Sequence, residues 1–262
     1  MHFTKMQGLG NDYLYVFGEV PEDIVSRCVR MSDRHFGAGS DGMIFISHSD
    51  IADFKMRIFN ADGSEAKMCG NGIRCVGKYV YDKGYTDKKV ISVETLSGIK
   101  ELTLDVVNGA VKTVSVEMGK VSISNDLDLI VGGHLMSCTP VSVGNPHAVF
   151  FTDDAEEVAL SSIGPMIEHD PVFPGGVNAE FVQVISRNEL RMRVWERGSG
   201  ITLACGTGAC ASVSASVSKG YCDINKPVVI HLDGGDLSIT VREDYSVLMT
   251  GPAEFVYEGD ML

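Results

Sequence analysis

Three features of the 262-residue sequence predict an α/β (α+β) protein built as two copies of one module, with strands outnumbering helices. First, Met68-Cys69-Gly70-Asn71-Gly72 returns as Ala204-Cys205-Gly206-Thr207-Gly208. Second, the surroundings repeat too: Arg57, Asn60, Cys69, Gly70, Gly72, Lys83, Gly84, Tyr85 and Asp87 meet Arg193, Glu196, Cys205, Gly206, Gly208, Lys219, Gly220, Tyr221 and Asp223, each 136 positions on, without a gap. Self-similarity of this kind marks duplication of a structural unit. Third, each glycine-cysteine loop follows alternating apolar runs and leads into an apolar helical run, and a strand meander comes after the first. That order favours a mixed or antiparallel sheet over a Rossmann arrangement. The border between modules falls near residue 118, giving 1–118 and 119–251.

Taken in order, Phe3 to Asp12 reads as a short strand entering a glycine-rich loop, and Tyr13 to Phe17 as an apolar strand. Pro21-Glu22-Asp23 starts a helix in which Ile24, Cys28 and Met31, with Val25 and Val29, recur at helical spacing. A loop of Gly37, Gly39, Asp41 and Gly42 leads to strand Met43 to Ile46. Phe54 to Phe59 alternates between faces and stops at the turn signal Asn60-Ala61-Asp62-Gly63. A helix then runs from about Asn71 to Lys83, with Gly84 as its stop. Ile73, Val76 and Val80 give it one apolar face, and Lys78 and Asp82 are expected elsewhere. Val90 to Val116 reads as a meander with a hairpin turn at Asn108-Gly109. In the second copy Ala209, Ala211, Val213, Ala215 and Val217 make the helix apolar nearly all round, as in a helix enclosed by a sheet.

The formal charge of −13 leaves no basic face to neutralise phosphates, which argues against nucleic acid or an anionic membrane as partner. No run approaches the roughly 20 apolar residues of a membrane span, and Met1-His2-Phe3-Thr4-Lys5 lacks the layout of an export signal, so a cytoplasmic location is expected. Seven cysteines, an odd number, fit reduced thiols better than a disulfide framework.

A cysteine just before a helix meets the positive end of the helix and free backbone N–H groups, both of which lower a thiol pKa. The neighbouring glycines let backbone approach a ligand, so the loop suits a carboxylate beside a thiolate. Two such loops can serve one molecule, one thiol taking a proton from a stereocentre and the other returning one to the opposite face. The spacing of the cysteines and the lack of nearby histidines disfavour zinc, and no cofactor motif is present. Cys28, Cys75 and Cys210 read as core residues. Asn11, Asn60, Asn145, Asn178 and the pair Glu196-Arg197 stand where loops end strands, suited either to local turns or to ligand contacts. Two other readings stay open: a racemase of the proline type, and a thiol redox protein that joins Cys69 to Cys205.

The sequence resembles the diaminopimelate epimerase family over essentially its whole length. The resemblance is carried by Lys5 to Asp12, Phe59 to Ser64, Met68 to Gly72, Gly144-Asn145-Pro146-His147, Val177-Asn178-Ala179, Glu196-Arg197-Gly198 and Ala204 to Cys210, seven motifs in order. It implies a pyridoxal-phosphate-independent enzyme, needing no cofactor or metal, that interconverts LL- and meso-diaminopimelate on the route to lysine and peptidoglycan. Cys69 and Cys205 are the implied acid/base pair. Asn11, Asn60, Asn145, Asn178, Glu196 and Arg197 are implied to grip the unreactive end of the substrate. Gly70-Asn71 and Gly206-Thr207 would hold the reacting carboxylate, and His147 with Glu196 would orient the reacting ammonium. The implied fold is two pseudo-symmetric domains, each a barrel-like sheet around a central helix, with the tail 252–262 on the first domain and the site in the cleft. A homodimer is compatible with this reading. Two departures stand out: Gly42 where many relatives carry a substrate-contacting Gln, and Ile201 where many carry Glu before the second cysteine.

Overall fold

The structure, a computed structural model, describes residues 1–261, so Leu262 of the expected tail lies outside the described residues. The chain forms two compact units, Met1–Val116 with the chain from Thr250 onward, and Glu117–Met249. Among the described residues no helix is long and apolar enough to cross a membrane.

The first unit runs β1 (His2–Gly8), β2 (Asn11–Phe17), α1 (Ile24–Ser32), β3 (Gly42–Ser47), β4 (Phe54–Asn60), β5 (Glu65–Ala66), α2 (Gly70–Asp82), β6 (Val90–Thr95), β7 (Gly98–Val107) and β8 (Ala110–Lys120). Strand β1 pairs antiparallel with β2, β2 parallel with β3, and β3 antiparallel with β4; β4 then pairs antiparallel with β5 and parallel with β6, which continues antiparallel to β7 and β8. Each parallel step is crossed by a helix, α1 or α2, as a parallel connection requires. At the β7–β8 hairpin, Asn108 and Gly109 have φ of 53° and 82°, the left-handed pair that a two-residue turn demands.

The second unit runs β9 (Ser122–Ile123), β10 (Leu127–Val131), β11 (His134–Ser142), β12 (Pro146–Phe151), α3 (Leu160–Glu168), β13 (Asn178–Ser186), β14 (Glu189–Glu196), β15 (Gly200–Ile201), α4 (Gly206–Ser218), β16 (Pro227–Leu232), β17 (Gly235–Val241) and β18 (Ser246–Pro252). The last strand, β19 (Glu254–Asp260), pairs antiparallel with β1 and so belongs to the first unit. From β11 to β17 the pairings follow the same succession as from β1 to β7: antiparallel, parallel, antiparallel, then a short strand and a parallel neighbour on β14, then antiparallel. The duplication read from the sequence is thus also a duplication of sheet topology.

Helices α2 and α4 are both 13 residues long, and each starts directly after its cysteine. Every residue of α2 from Gly70 to Val80 is buried, which corrects the expectation that Lys78 lies off the buried face. Its ammonium donates to the Val111 carbonyl of β8 at 2.6 Å and pairs with Asp82, one turn on in the same helix, at 2.8 Å, so sheet and helix together supply the partners that make burial of the charge tolerable. Arg74 is fully buried in the same helix. In α4 the serines substitute for apolar residues by bonding back along the helix, Ser214 to the Cys210 carbonyl and Ser216 to that of Ser212. Helix α1 buries Ile24, Cys28 and Met31 as expected, whereas Val25 and Val29 are exposed, because one residue on is 100° around a helix and off the buried stripe. Gly42 has φ of 153°, and a Cβ there would stand 2.0 Å from the Phe59 carbonyl oxygen. The β3–β4 register therefore requires glycine, and no side chain fits at that point with this backbone.

Candidate active site

In the first unit, Cys69 is the N-cap of α2. Its Sγ accepts the Gly72 N–H at 3.3 Å and donates to Asn11 Oδ1 at 3.2 Å. Asn11 is oriented in turn, its Nδ2 donating to Asp41 at 2.8 Å. Arg34 bridges Asp41 and Asp12 at 2.9 and 2.8 Å, and Lys5 reaches Asp12 at 2.7 Å. Burial raises the Asp41 carboxyl, whereas at Asp12 the hydrogen bonds from Arg34 and Lys5 outweigh burial and hold the pKa low. The loop after β1 is therefore braced by a charged cluster. Asn60 closes its own turn, donating through Nδ2 to Ser64 Oγ at 3.1 Å. Asn71 is buried, and its Oδ1 accepts from Arg74 at 3.0 Å, so Gly70 and Asn71 present chiefly the backbone of the first helical turn.

The second unit repeats the cap. Cys205 is the N-cap of α4, and its Sγ accepts the Gly208 N–H at 3.3 Å, with Thr207 Oγ1 at 3.5 Å. Asn145 donates to Thr207 Oγ1 at 3.3 Å, and its Oδ1 lies 3.1 Å from His147 Nε2. Asn178 staples two segments, donating to the Pro146 carbonyl at 2.9 Å and accepting the Arg197 N–H at 3.0 Å. The Arg197 guanidinium donates to the Gly175 carbonyl at 2.9 Å, and Glu196 accepts from Thr202. Ile201 pairs with Trp195 at the strand edge and is half exposed. Asn145, His147 and Thr207, which the resemblance gives three different substrate roles, are thus joined in one network with Cys205, and Asn178 and Arg197 are tied to each other beside it.

Two acids that the sequence reading passed over complete this half. Glu168 accepts from Trp195 Nε1 at 2.6 Å and from the Gly198 N–H at 2.9 Å, which fixes the turn that follows Glu196. Glu180, fully buried in β13, faces His147 Nδ1 at 2.7 Å. The signal for Glu180 was an acid inside the apolar run Ala179-Glu180-Phe181-Val182.

The expected lowering of the thiol pKa is overturned at Cys205. Burial raises it well above the usual range, and the Glu196 and Glu180 carboxyls push the same way, outweighing the Thr207 and Gly208 hydrogen bonds. Burial likewise raises Glu196. A raised thiol pKa means less thiolate at a given pH, and only thiolate is alkylated. Iodoacetamide is therefore expected to label Cys205 of the ligand-free protein more slowly at about pH 8 than a peptide cysteine of ordinary pKa. The rate should keep rising above the ordinary thiol value of 9.0, read by mass spectrometry. A plateau at neutral pH would contradict this.

The family profile described as diaminopimelate epimerase matches residues 3–124 and 139–256. Diaminopimelate epimerase of Acetivibrio thermocellus is 51% identical over 100% of this chain and 98% of its own length. The enzyme of that name from Methanococcus maripaludis is 50% identical over 100% of this chain and 99% of its own length. Among solved structures, a phenazine biosynthesis protein of the PhzF family from Bacillus anthracis superposes with a TM-score of 0.78 at 14% identity, covering 100% of this chain and 99% of that one, a likeness of fold alone.

Proposed function

Because the chain belongs to the diaminopimelate epimerase family, we propose that it interconverts LL- and meso-diaminopimelate, without a cofactor, as a cytoplasmic enzyme of lysine and peptidoglycan precursor synthesis. Cys69 and Cys205 act as the acid/base pair. One, as thiolate, removes the proton from the reacting Cα and becomes a thiol; the other, as thiol, gives its proton to the opposite face and becomes a thiolate. The observation that carries the reading is the repeated cap: in both halves a cysteine sulfur sits at the start of a buried helix and accepts the N–H three residues on at 3.3 Å. Helix N-termini favour anions, so Gly70-Asn71 and Gly206-Thr207 hold the reacting carboxylate and stabilise the charge that develops on it. His147 and Glu196 orient the reacting ammonium, and Asn11, Asn60, Asn145, Asn178, Glu196 and Arg197 hold the far amino-acid group. In the ligand-free state burial raises the Cys205 thiol and so favours its protonated form.

The test offers LL-diaminopimelate and L-proline separately. Formation of meso-diaminopimelate, with no racemisation of proline, is expected, because proline has no second amino-acid group for the asparagines and Arg197 to hold. Turnover of proline alone would reject the reading.

A further inference from the structure

Glu180 lies in β13 with its side chain fully buried, and its Oε1 is 2.7 Å from Nδ1 of the equally buried His147. Its Oε2 has no hydrogen-bond partner. A carboxyl group taken out of water with one bare oxygen is costly unless its single partner answers its charge or shares its proton. Across the ring, His147 Nε2 faces Asn145 Oδ1 at 3.1 Å, and Asn145 Nδ2 reaches Thr207 Oγ1 at 3.3 Å. Thr207 Oγ1 stands 3.5 Å from Cys205 Sγ. Gly208 closes the group: a Cβ there would lie 2.7 Å from Glu180 Oε1 and 3.2 Å from Cys205 Sγ, so glycine is what lets the carboxyl and the thiol approach one helical turn together.

We propose that Glu180 is a positioning residue of the Cys205 half of the site: acting through His147, it fixes the direction of a hydrogen-bond chain that runs through Asn145 to the Thr207 hydroxyl. The inference rests on the reading of Cys205 as a catalytic thiol. Its direction follows from counting donors. Asn145 Oδ1 can only accept, so His147 Nε2 carries a hydrogen. His147 Nδ1 and Glu180 Oε1 then hold one proton between them. Asn145, with its oxygen engaged, turns its amide hydrogens outward and gives one to Thr207. Thr207 receives that hydrogen and keeps its own for Cys205 Sγ or for a bound carboxylate. Without an acid at 180, nothing fixes which ring nitrogen of His147 carries the hydrogen, so Asn145 is free to turn over and the Thr207 hydrogen to be drawn to the amide oxygen instead.

Full-length protein labelled with 15N in histidine gives the first readout, with His147 identified by the signal lost in His147→Gln. A hydrogen on Nε2 and a shared one at Nδ1 are expected. In Glu180→Gln the pair should move to the pattern of a neutral ring with one hydrogen. A wild-type His147 with a bare Nε2 overturns the proposal, and this holds even if Glu180→Gln fails to fold. The second readout is a double-mutant cycle. Glu180→Gln is expected to lower kcat about 10- to 100-fold, the size seen when an orienting outer carboxylate is lost from a metal site, with a smaller change in KM. In a Thr207→Val background the same change should cost less than about 3-fold, since the chain is already cut. Equal losses in both backgrounds overturn the proposal, because a purely structural role would act in each alike. An active Cys205→Ala variant would sink the two-thiol reading and leave the histidine spectrum standing. A bare Nε2 together with an inactive Cys205→Ala would do the reverse.

Discussion

Cys205→Ala is expected to lower epimerisation of both stereoisomers by a factor on the order of 10² to 10⁴, and Cys69→Ala by as much, the range for loss of one acid or base from a proton transfer. In the proposed mechanism both are needed in either direction, because the group that takes the proton from one isomer returns it to the other. The sulfur also caps a helix, so each change removes the bond from Gly208 or Gly72. Losing a cap costs about 0.5–2 kcal/mol, far too little to unfold a sound domain. Serine separates the two roles. Cys205→Ser keeps an oxygen to accept the Gly208 N–H but replaces the thiol by a hydroxyl whose proton is much harder to remove. It should melt within a few degrees of the wild type and remain inactive. Activity above a tenth of the wild type in any of these variants would contradict the assignment.

The largest expected loss of stability is at Arg74. Its guanidinium is fully buried and donates to the Pro252 carbonyl at 3.1 Å, the Gly70 carbonyl at 3.1 Å and Asn71 Oδ1 at 3.0 Å. Arg74→Met takes donors away from two buried acceptors, the Gly70 carbonyl and Asn71 Oδ1, and from the part-buried Pro252 carbonyl, each buried one worth about 1–3 kcal/mol when left unmet. A loss of about 3–5 kcal/mol is expected in urea unfolding, the summed cost of leaving these acceptors unmet. Arg74→Lys should fall between, since one ammonium cannot span three acceptors held by a planar fork. Because Gly70 and Asn71 open the helix that Cys69 caps, activity at low temperature should fall as well. A methionine variant as stable as the wild type would show that the arginine is dispensable for packing.

What the sequence made legible was set by local backbone chemistry. Cysteine and glycine at the start of α2 and α4, Gly84 after α2, and Asn108-Gly109 in the hairpin each impose a conformation within a few residues, and each stands where the pattern puts it. The constant 136-residue spacing carried the duplication, because a repeat needs no knowledge of partners. What stayed hidden depends on groups brought from far along the chain. Lys78 is charged and reads as solvent-facing until β8 places the Val111 carbonyl against it. Arg74 needs the Pro252 carbonyl, 178 residues on. Glu180 looks like a surface acid in a strand until His147 arrives from β12. The Cys205 thiol is hidden for the same reason: a helix N-terminus is visible in the sequence, but the burial and the two carboxyls that overcome it are not.

Whether two thiols serve one reacting carbon is decided by the first turnovers in heavy water. A thiol holds a single proton. With the proposed pair, the one removed from LL-diaminopimelate stays on one sulfur, and the one delivered to the product comes from the other, already exchanged with solvent. Meso-diaminopimelate carrying deuterium at the inverted carbon is expected while unconverted LL-diaminopimelate keeps its original hydrogen, followed by mass spectrometry at low conversion. Product that retains the substrate hydrogen, or deuterium entering substrate and product at equal rates from the start, would contradict it.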